Sequence, residues 1–332
     1  MQQLSDLEHI RMRPGMYVGC TTGRGLHHLF LELLDNVVDQ YLAGKATTVR
    51  AAFDGDVLEV IDDGDGLPFD VTHDSGVPLA TRYLTKIRRH APTADGHTPH
   101  VHLGGWGVGL RIVTALTHTC EVNSWRTGQL WRQSFTRGIA DGPAKIIRRG
   151  EERGTVIRIT VDKGIFKDQS WSSDTIDDRL RQAAYLMAGL RVQTPQWAMK
   201  ADRGLAQLAE QLSGQQDGYT ADNRPTFRMH GHFGDLHVQV AAISTTSNEK
   251  TQWHSFANGN ISYEGGTHLT ALKRAVAACR WRPSIAMIHV IMQTPRFAGP
   301  TKTKLDVDEI FSPIYQSIKP PMKQFCTEQG IS

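Results

Sequence analysis

A chain of 332 residues is long enough to bury a sizeable core and to form two domains. Hydrophobic residues at 39% and charged residues at 21% exclude a disordered or membrane-embedded chain. The 37 basic and 34 acidic residues leave a formal charge of +3, too small for a dedicated nucleic-acid-coating domain, although weak DNA contact stays open.

Cys20, Cys120, Cys279 and Cys326 lie far apart with no C-x-x-C pair, so neither a zinc site nor a disulfide scaffold is signalled, and a reducing compartment fits. The N-terminus lacks a basic stretch followed by an apolar run, and no segment approaches the roughly 20 apolar residues of a membrane span. These features predict a cytoplasmic protein without a membrane partner.

In chain order, Leu29, Phe30, Leu33, Leu34, Val37 and Val38 recur at helical spacing and predict a helix over 26–43 that Gly44 ends. Strands follow at about 47–53 and 57–62, a hairpin around Asp54-Gly55-Asp56 that delivers Asp62 to a strand end. Residues 88–105, with Pro92, Gly96, Pro99 and several histidines, predict a long loop of the kind that serves as a lid. Gly107-Val108-Gly109 then opens a helical segment, Leu110 to Leu116, and strand-like segments run to about Thr160. A helix at Leu205 to Leu212 precedes a polar, Gly-rich stretch at 213–224, where a domain boundary is placed. Beyond it come strands at about 226–243 and 252–257, a helix at about 267–279 and a β-rich run at 284–293.

Three constellations carry chemistry. Glu32, Asn36 and Gln40 sit one helical turn apart and share a face. A carboxylate there can take a proton from an attacking water, and a carboxamide oxygen is a hard ligand suited to Mg²⁺; the same spacing also fits a solvated polar face, and spacing alone leaves both open. Asp62-Asp63-Gly64-Asp65-Gly66-Leu67-Pro68 puts a carboxylate at a strand end beside glycines that let a ligand approach the backbone, or is simply a turn. Gly104-Gly105-Trp106-Gly107-Val108-Gly109 entering a helix is a phosphate-cradle candidate. No strand directly precedes it and no G-x-x-x-x-G-K-[ST] occurs, which removes the dinucleotide-binding and P-loop readings.

The order of these elements resembles the GHKL ATPase superfamily and, in detail, the ATPase region of DNA gyrase B and topoisomerase IV. Arg13-Pro14-Gly15-Met16-Tyr17-Val18-Gly19, Gly25-Leu26-His27-His28 and Glu32-Leu33-Leu34-Asp35-Asn36 are similar to the gyrase B signature almost residue for residue. The resemblance implies an α/β (α+β) chain: a Bergerat-fold ATPase sandwich, a mixed sheet covered by helices, over 1–216, then a shortened transducer domain of ribosomal S5 domain 2-like type over 217–332. It further implies ATP and Mg²⁺ as cofactors. Glu32 would be the general base for attack on the γ-phosphate and Asn36 would hold Mg²⁺. Asp62 would bind the adenine amino group, with Thr155 assisting through water, while Gly64 and Gly66 admit base and ribose. Gly104, Gly105, Gly107, Val108 and Gly109 would wrap the triphosphate. Glu264-Gly265-Gly266-Thr267-His268-Leu269 looks like the transducer motif, and Lys302 in Thr301-Lys302-Thr303-Lys304-Leu305 would sense the γ-phosphate.

The chain departs from the family at several points. Gln40 and Asp65 replace an acidic residue and an arginine that would bridge beside the adenine, leaving an amide expected to face a carboxylate. Trp106 replaces a histidine, the lid lacks a lysine near Pro92-Thr93-Ala94, and Pro300 replaces a glutamine. The chain begins too late for the family's exchanging arm, has no room between Arg280 and Ile288 for a transducer segment, and stops where the DNA-cleaving domain would start; it is therefore expected not to be a complete topoisomerase polypeptide. His97, His100, His102, His230 and His232 read as ordinary loop and strand histidines. The basic residues Lys273, Arg274, Arg280 and Arg282 read as a solvated helix end.

The resulting expectation is a stand-alone gyrase B-type ATPase that dimerises on binding Mg-ATP and couples hydrolysis to a separate protein partner. The alternative is a nucleotide-gated binding module with slow or no turnover, such as a protector, inhibitor or mimic of gyrase. A kinase or mismatch-repair relative fits the Arg13-Pro14-Gly15-Met16-Tyr17 and Glu264-Gly265-Gly266-Thr267 segments less well.

Overall fold

The computed structural model describes residues 4–72, 75–87, 108–217, 226–234, 236–244, 250–292, 295–298 and 303–331. The expected lid, with Gly104, Gly105, Trp106 and Gly107, and the segment with Pro300 and Lys302 lie outside the described residues. The chain divides into two compact units, one of residues 1–183 and 190–200, the other of 184–189 and 201–332.

In the first unit Ser5 and Glu8 form a reciprocal capping box that starts α1 (Asp6–Met12), the Glu8 carboxylate accepting the Ser5 N–H at 2.8 Å. A short α2 (Gly15–Val18) precedes α3 (Gly23–Leu42), which buries the apolar stripe read from the sequence, including Leu29, Phe30, Leu33 and Val37. The hairpin of β1 (Thr48–Asp54) and β2 (Val57–Asp62) pairs Val49 with Asp62 and leaves that carboxylate at the strand end. Next come α4 (Leu79–Thr85) and α5 (Gly109–Leu116), the latter almost uniformly buried. Then follow β3 (Thr117–Arg126), β4 (Gln129–Thr136), β5 (Ile139–Ala140), β6 (Lys145–Arg149) and β7 (Thr155–Val161). Two helices, α6 (Lys163–Phe166) and α7 (Ser173–Leu186), lead to β8 (Arg191–Gln193) and β9 (Ala198–Lys200).

These strands build one mixed sheet in the order β5-β4-β3-β7-β2-β1-β8-β9, with β6 also paired to β4. All its pairings are antiparallel except β1 with β8. Helix α5 packs on α3, α4 and β3, so the helix carrying Glu32 and the start of α5 are brought together over the sheet. Central β7 and β2 hold Thr155 and Asp62 at matching ends, because β7 runs antiparallel to β2 with Ile61 opposite Val156.

The second unit begins with α8 (Leu205–Asp217), which packs on the strands β11 (Leu236–Ile243) and β15 (Ile285–Ile291). Its sheet runs β10-β11-β15-β12-β13, where β10 (Thr226–Phe233) pairs antiparallel with β11, and β12 (Gln252–Ala257) is parallel to β15. Two-residue strands β13 (Asn260–Ile261), β14 (Gly265–Gly266) and β16 (Lys304–Leu305) complete the pairing, β14 lying parallel to β16. Helix α9 (Thr267–Ala278) and helix α10 (Phe311–Glu328) share a core with Ala286, Ile288 and Val290 of β15. The other side chains of β15 are buried as well, so this strand is covered on both faces and is apolar except for His289.

Helix α10 continues through Pro320 and Pro321, which would ordinarily break it. Both prolines are exposed, and the buried stripe Ile314, Ile318, Met322 and Cys326 continues uninterrupted on the other face. Burial of that stripe outweighs the two missing backbone hydrogen bonds.

Candidate functional site

Glu32 lies in the middle of α3, buried, with its Oε1 3.1 Å from His28 Nε2 one turn earlier. The other oxygen faces Gly109 at the start of α5: a Cβ built there would lie 2.2 Å from Glu32 Oε2. A side chain at this position would push the carboxylate aside, so glycine lets it stay against the N-terminus of α5, where the helix dipole favours negative charge. Val108 is the residue before that helix and Gly109 its first, so the end of the expected cradle that the structure describes does meet Glu32. Asn36 follows Glu32 by one turn on α3 and is partly buried.

Asp62 is buried at the end of β2, and its Oδ1 accepts the Gly64 N–H at 2.7 Å and the Thr155 N–H at 3.3 Å. Burial raises its pKa to about 6; the two N–H donors oppose the rise and the neighbouring Asp63 charge adds to it. Asp63 behaves oppositely: burial pushes it up, but the Thr47 hydroxyl and the N–H groups of Thr47 and Thr48 outweigh this and hold it low. Asp63 is thereby a structural pin for the start of β1, and Asp62 is the carboxylate aimed inward.

The glycines around Asp62 are required by close backbone approach. Gly66 has φ +78°, and a Cβ there would meet the Trp125 carbonyl oxygen at 1.9 Å. Gly154, at φ +100°, would place a Cβ 1.9 Å from the Asp62 carbonyl oxygen. Gly64 is bounded by Asp62 Oδ1 and Gln40 Oε1, at 2.9 and 3.0 Å from a Cβ position. Thr155 Oγ1 is 3.3 Å from Ser124 Oγ, whose hydroxyl accepts the Leu67 N–H at 2.7 Å. Sequence reasoning does not single out Ser124, or His28 beside Glu32; for His28 the i,i+4 spacing to Glu32 is the available signal.

The expected contact between the Gln40 amide and the Asp65 carboxylate is not what forms. Gln40 Oε1 accepts the backbone N–H of Asp65 at 3.3 Å, while the Asp65 carboxylate turns to Arg153 at 2.9 Å and Lys45 at 3.2 Å. Two cations offer the carboxylate stronger partners than a neutral amide does. An open cleft of about 310 Å³ adjoins this wall, lined by Gly64, Asp65, Trp125, Arg126 and Arg153 among others.

The family described as histidine kinase-, DNA gyrase B-, and HSP90-like ATPase matches residues 21–165, the stretch that supplies Glu32, Asp62, Gly109 and Thr155. Residues 21–165 form a domain of this GHKL family. Among its relatives, the DNA gyrase B protein of Thermotoga maritima is 31% identical over 97% of this chain and 55% of that protein. The chain spans about half the length of the curated relatives it matches. Among solved structures, the 43K ATPase domain of Thermus thermophilus gyrase B, determined in complex with an aminocoumarin, superposes with a TM-score of 0.81 at 27% identity, covering 98% of this chain and 90% of that one. The topoisomerase IV ATP-binding domain of Francisella tularensis, determined with a small-molecule inhibitor, shares the fold with a TM-score of 0.78 at 22% identity, over 97% of this chain and 92% of that one. The mixed α/β fold of this chain is thus that of gyrase B ATPase regions.

Proposed function

We propose that the first unit binds ATP with Mg²⁺ and hydrolyses it to ADP and phosphate. The observation that carries this reading is the pairing of two buried carboxylates with two different surroundings. Glu32 closes on the N-terminus of α5, and Asp62 is held by backbone N–H groups among glycines.

The residues fit the ligand. Asp62 offers an inward carboxylate to an exocyclic amino donor such as that of adenine, and Gly64 and Gly66 leave room for base and ribose. Asn36 offers a hard oxygen one turn from Glu32, suited to holding Mg²⁺, and a bound Mg²⁺ would neutralise charge on the phosphates. Glu32 accepts the proton of the attacking water, with His28 fixing the orientation of its carboxylate. Val108 and Gly109 present the start of α5 to phosphate, while Gly104, Gly105 and Gly107 lie outside the described residues and keep only the phosphate-binding role that the resemblance assigns them. Lys302, which lies outside the described residues, keeps only the γ-phosphate-sensing role that the resemblance assigns it. Thr155 orients Asp62 through its N–H.

The reading extends to a nucleotide-dependent homodimer, a second part acting as a shortened transducer over about 217–332, and a separate protein partner driven by hydrolysis in the cytoplasm. Among the described residues no helix is long and apolar enough to cross a membrane. A second reading, a nucleotide-gated binding module with slow turnover, is favoured by the rebuilt wall at Gln40 and Asp65. Size-exclusion chromatography with a non-hydrolysable ATP analogue, beside a phosphate-release assay, separates the two. Dimerisation with turnover supports the ATPase, dimerisation without turnover supports the module, and neither response overturns both.

A further inference from the structure

Asp65, which the proposed mechanism does not use, is a meeting point of several segments. Its carboxylate binds Arg153 at 2.9 Å and Lys45 at 3.2 Å, its N–H donates to Gln40 Oε1, and its carbonyl accepts Arg126 Nη1 at 3.3 Å. Arg153 also donates to the Lys45 carbonyl at 3.0 Å, and Arg126 Nε holds Asp70 at 3.1 Å. The last turn of α3, the chain after it, the end of β3 and the turn before β7 are thereby joined at one residue.

The position of this joint matters more than its number of bonds. Asp62 receives its two N–H donors from Gly64, inside the 62–66 loop, and from Thr155, two residues after Arg153. The Asp65–Arg153 ion pair therefore spans the same two segments that hold Asp62. Between them the backbones touch, since a Cβ on Gly154 would meet the Asp62 carbonyl oxygen at 1.9 Å. Gly64, Gly66 and Gly154 contribute no side chains that could lock these segments, and glycine backbone is costly to order. Charge supplies the lock instead.

We propose that Asp65, with Lys45 and Arg153, is a positioning clamp that keeps Asp62 aimed at the base and so sets the preference for adenine. The proposal rests on the nucleotide reading of this site and deepens it. Because the three charged side chains are 35–59% exposed, the clamp is screened by salt and its effect is moderate.

The test is isothermal titration with ADP and, separately, GDP at low and high salt, which requires no turnover. The proteins are the wild type, D65N, R153M, the D65N/R153M double variant, D65R and the D65R/R153D swap, each checked for folding by thermal melting. The clamp predicts that D65N and R153M each weaken ADP binding about three- to tenfold at low salt and narrow the ADP-over-GDP ratio. It also predicts that the double variant is no weaker than the singles, that the swap recovers part of the loss of D65R, and that high salt moves the wild type toward the variants. Wild-type ADP binding with D65N and R153M unchanged within about twofold, in folded proteins, overturns the clamp alone. No ADP binding by the folded wild type overturns the nucleotide reading and the clamp with it.

Discussion

His28 Nε2 lies 3.1 Å from Glu32 Oε1, one turn earlier on the same helix and only partly buried. The contact is an ion pair when the imidazole is protonated and a hydrogen bond when it is neutral. Either way it fixes which oxygen of Glu32 remains directed toward the start of α5. H28A should therefore lower phosphate release by about tenfold or more, within the ~10²–10⁴-fold that a well-placed acid–base group supplies, while ADP affinity changes little. Equal losses in binding and turnover would instead make His28 a packing residue.

Asp62 ties function to pH. Its folded pKa of about 6 stands above the ordinary 3.8, chiefly through burial. An amino donor is best accepted by the ionised form, so ADP affinity should fall as pH drops below about 6, and the dependence should disappear in D62N.

The linkage to stability has the opposite sense. A raised folded pKa contributes stability that is present below the unfolded value and lost as pH rises through about 6, so ionised Asp62 costs the ligand-free protein stability at pH 8. D62N should therefore raise the unfolding free energy at pH 8 by up to about 3 kcal/mol while weakening nucleotide binding. A variant that loses both stability and binding would contradict this assignment.

Gly154 combines φ +100° with backbone contact at 1.9 Å from a Cβ position. G154A should cost more than about 2 kcal/mol, because both conformation and space exclude a side chain. By contrast, Gly55 has φ +55° with open space around it, so G55A should cost only the conformational strain, about 1 kcal/mol. Urea unfolding of the two variants distinguishes the contributions.

In the second unit His268 and His289 are fully buried, and among the described residues neither ring nitrogen of His268 has a hydrogen-bond partner. Burial lowers their pKa to about 4 and about 3 from an ordinary 6.5. Depressed values mean that stability present above pH 6.5 is lost as the unfolded chain gains protons below it. Between pH 7 and 5 the two together should remove roughly 2–4 kcal/mol, read as a falling denaturation midpoint that H268L partly relieves.

Much of this molecule is legible in its residues. The apolar period of α3 locates Glu32 and Asn36, and the Asp-Gly turn places Asp62 at a strand end, because both signals are local. Helix α10 is not legible, since Pro320 and Pro321 interrupt the usual pattern and only tertiary burial of Ile314, Ile318 and Met322 maintains the helix. Helix α7 escapes the pattern because its first turns are strongly charged and most of its buried positions, Ala183, Ala184, Tyr185 and Leu186, crowd into its last turn behind Ile176 and Leu180. The partners of Asp65 are equally hidden: Arg153 is 88 positions away and reaches it only through the strand order.

Glu32 is assigned to drive hydrolysis at a site that binds nucleotide independently of it. Steady-state phosphate release and analogue binding should be measured side by side for the wild type and E32A. The assignment predicts that E32A abolishes phosphate release while binding the non-hydrolysable ATP analogue about as tightly as the wild type. Unaltered phosphate release by E32A would contradict it.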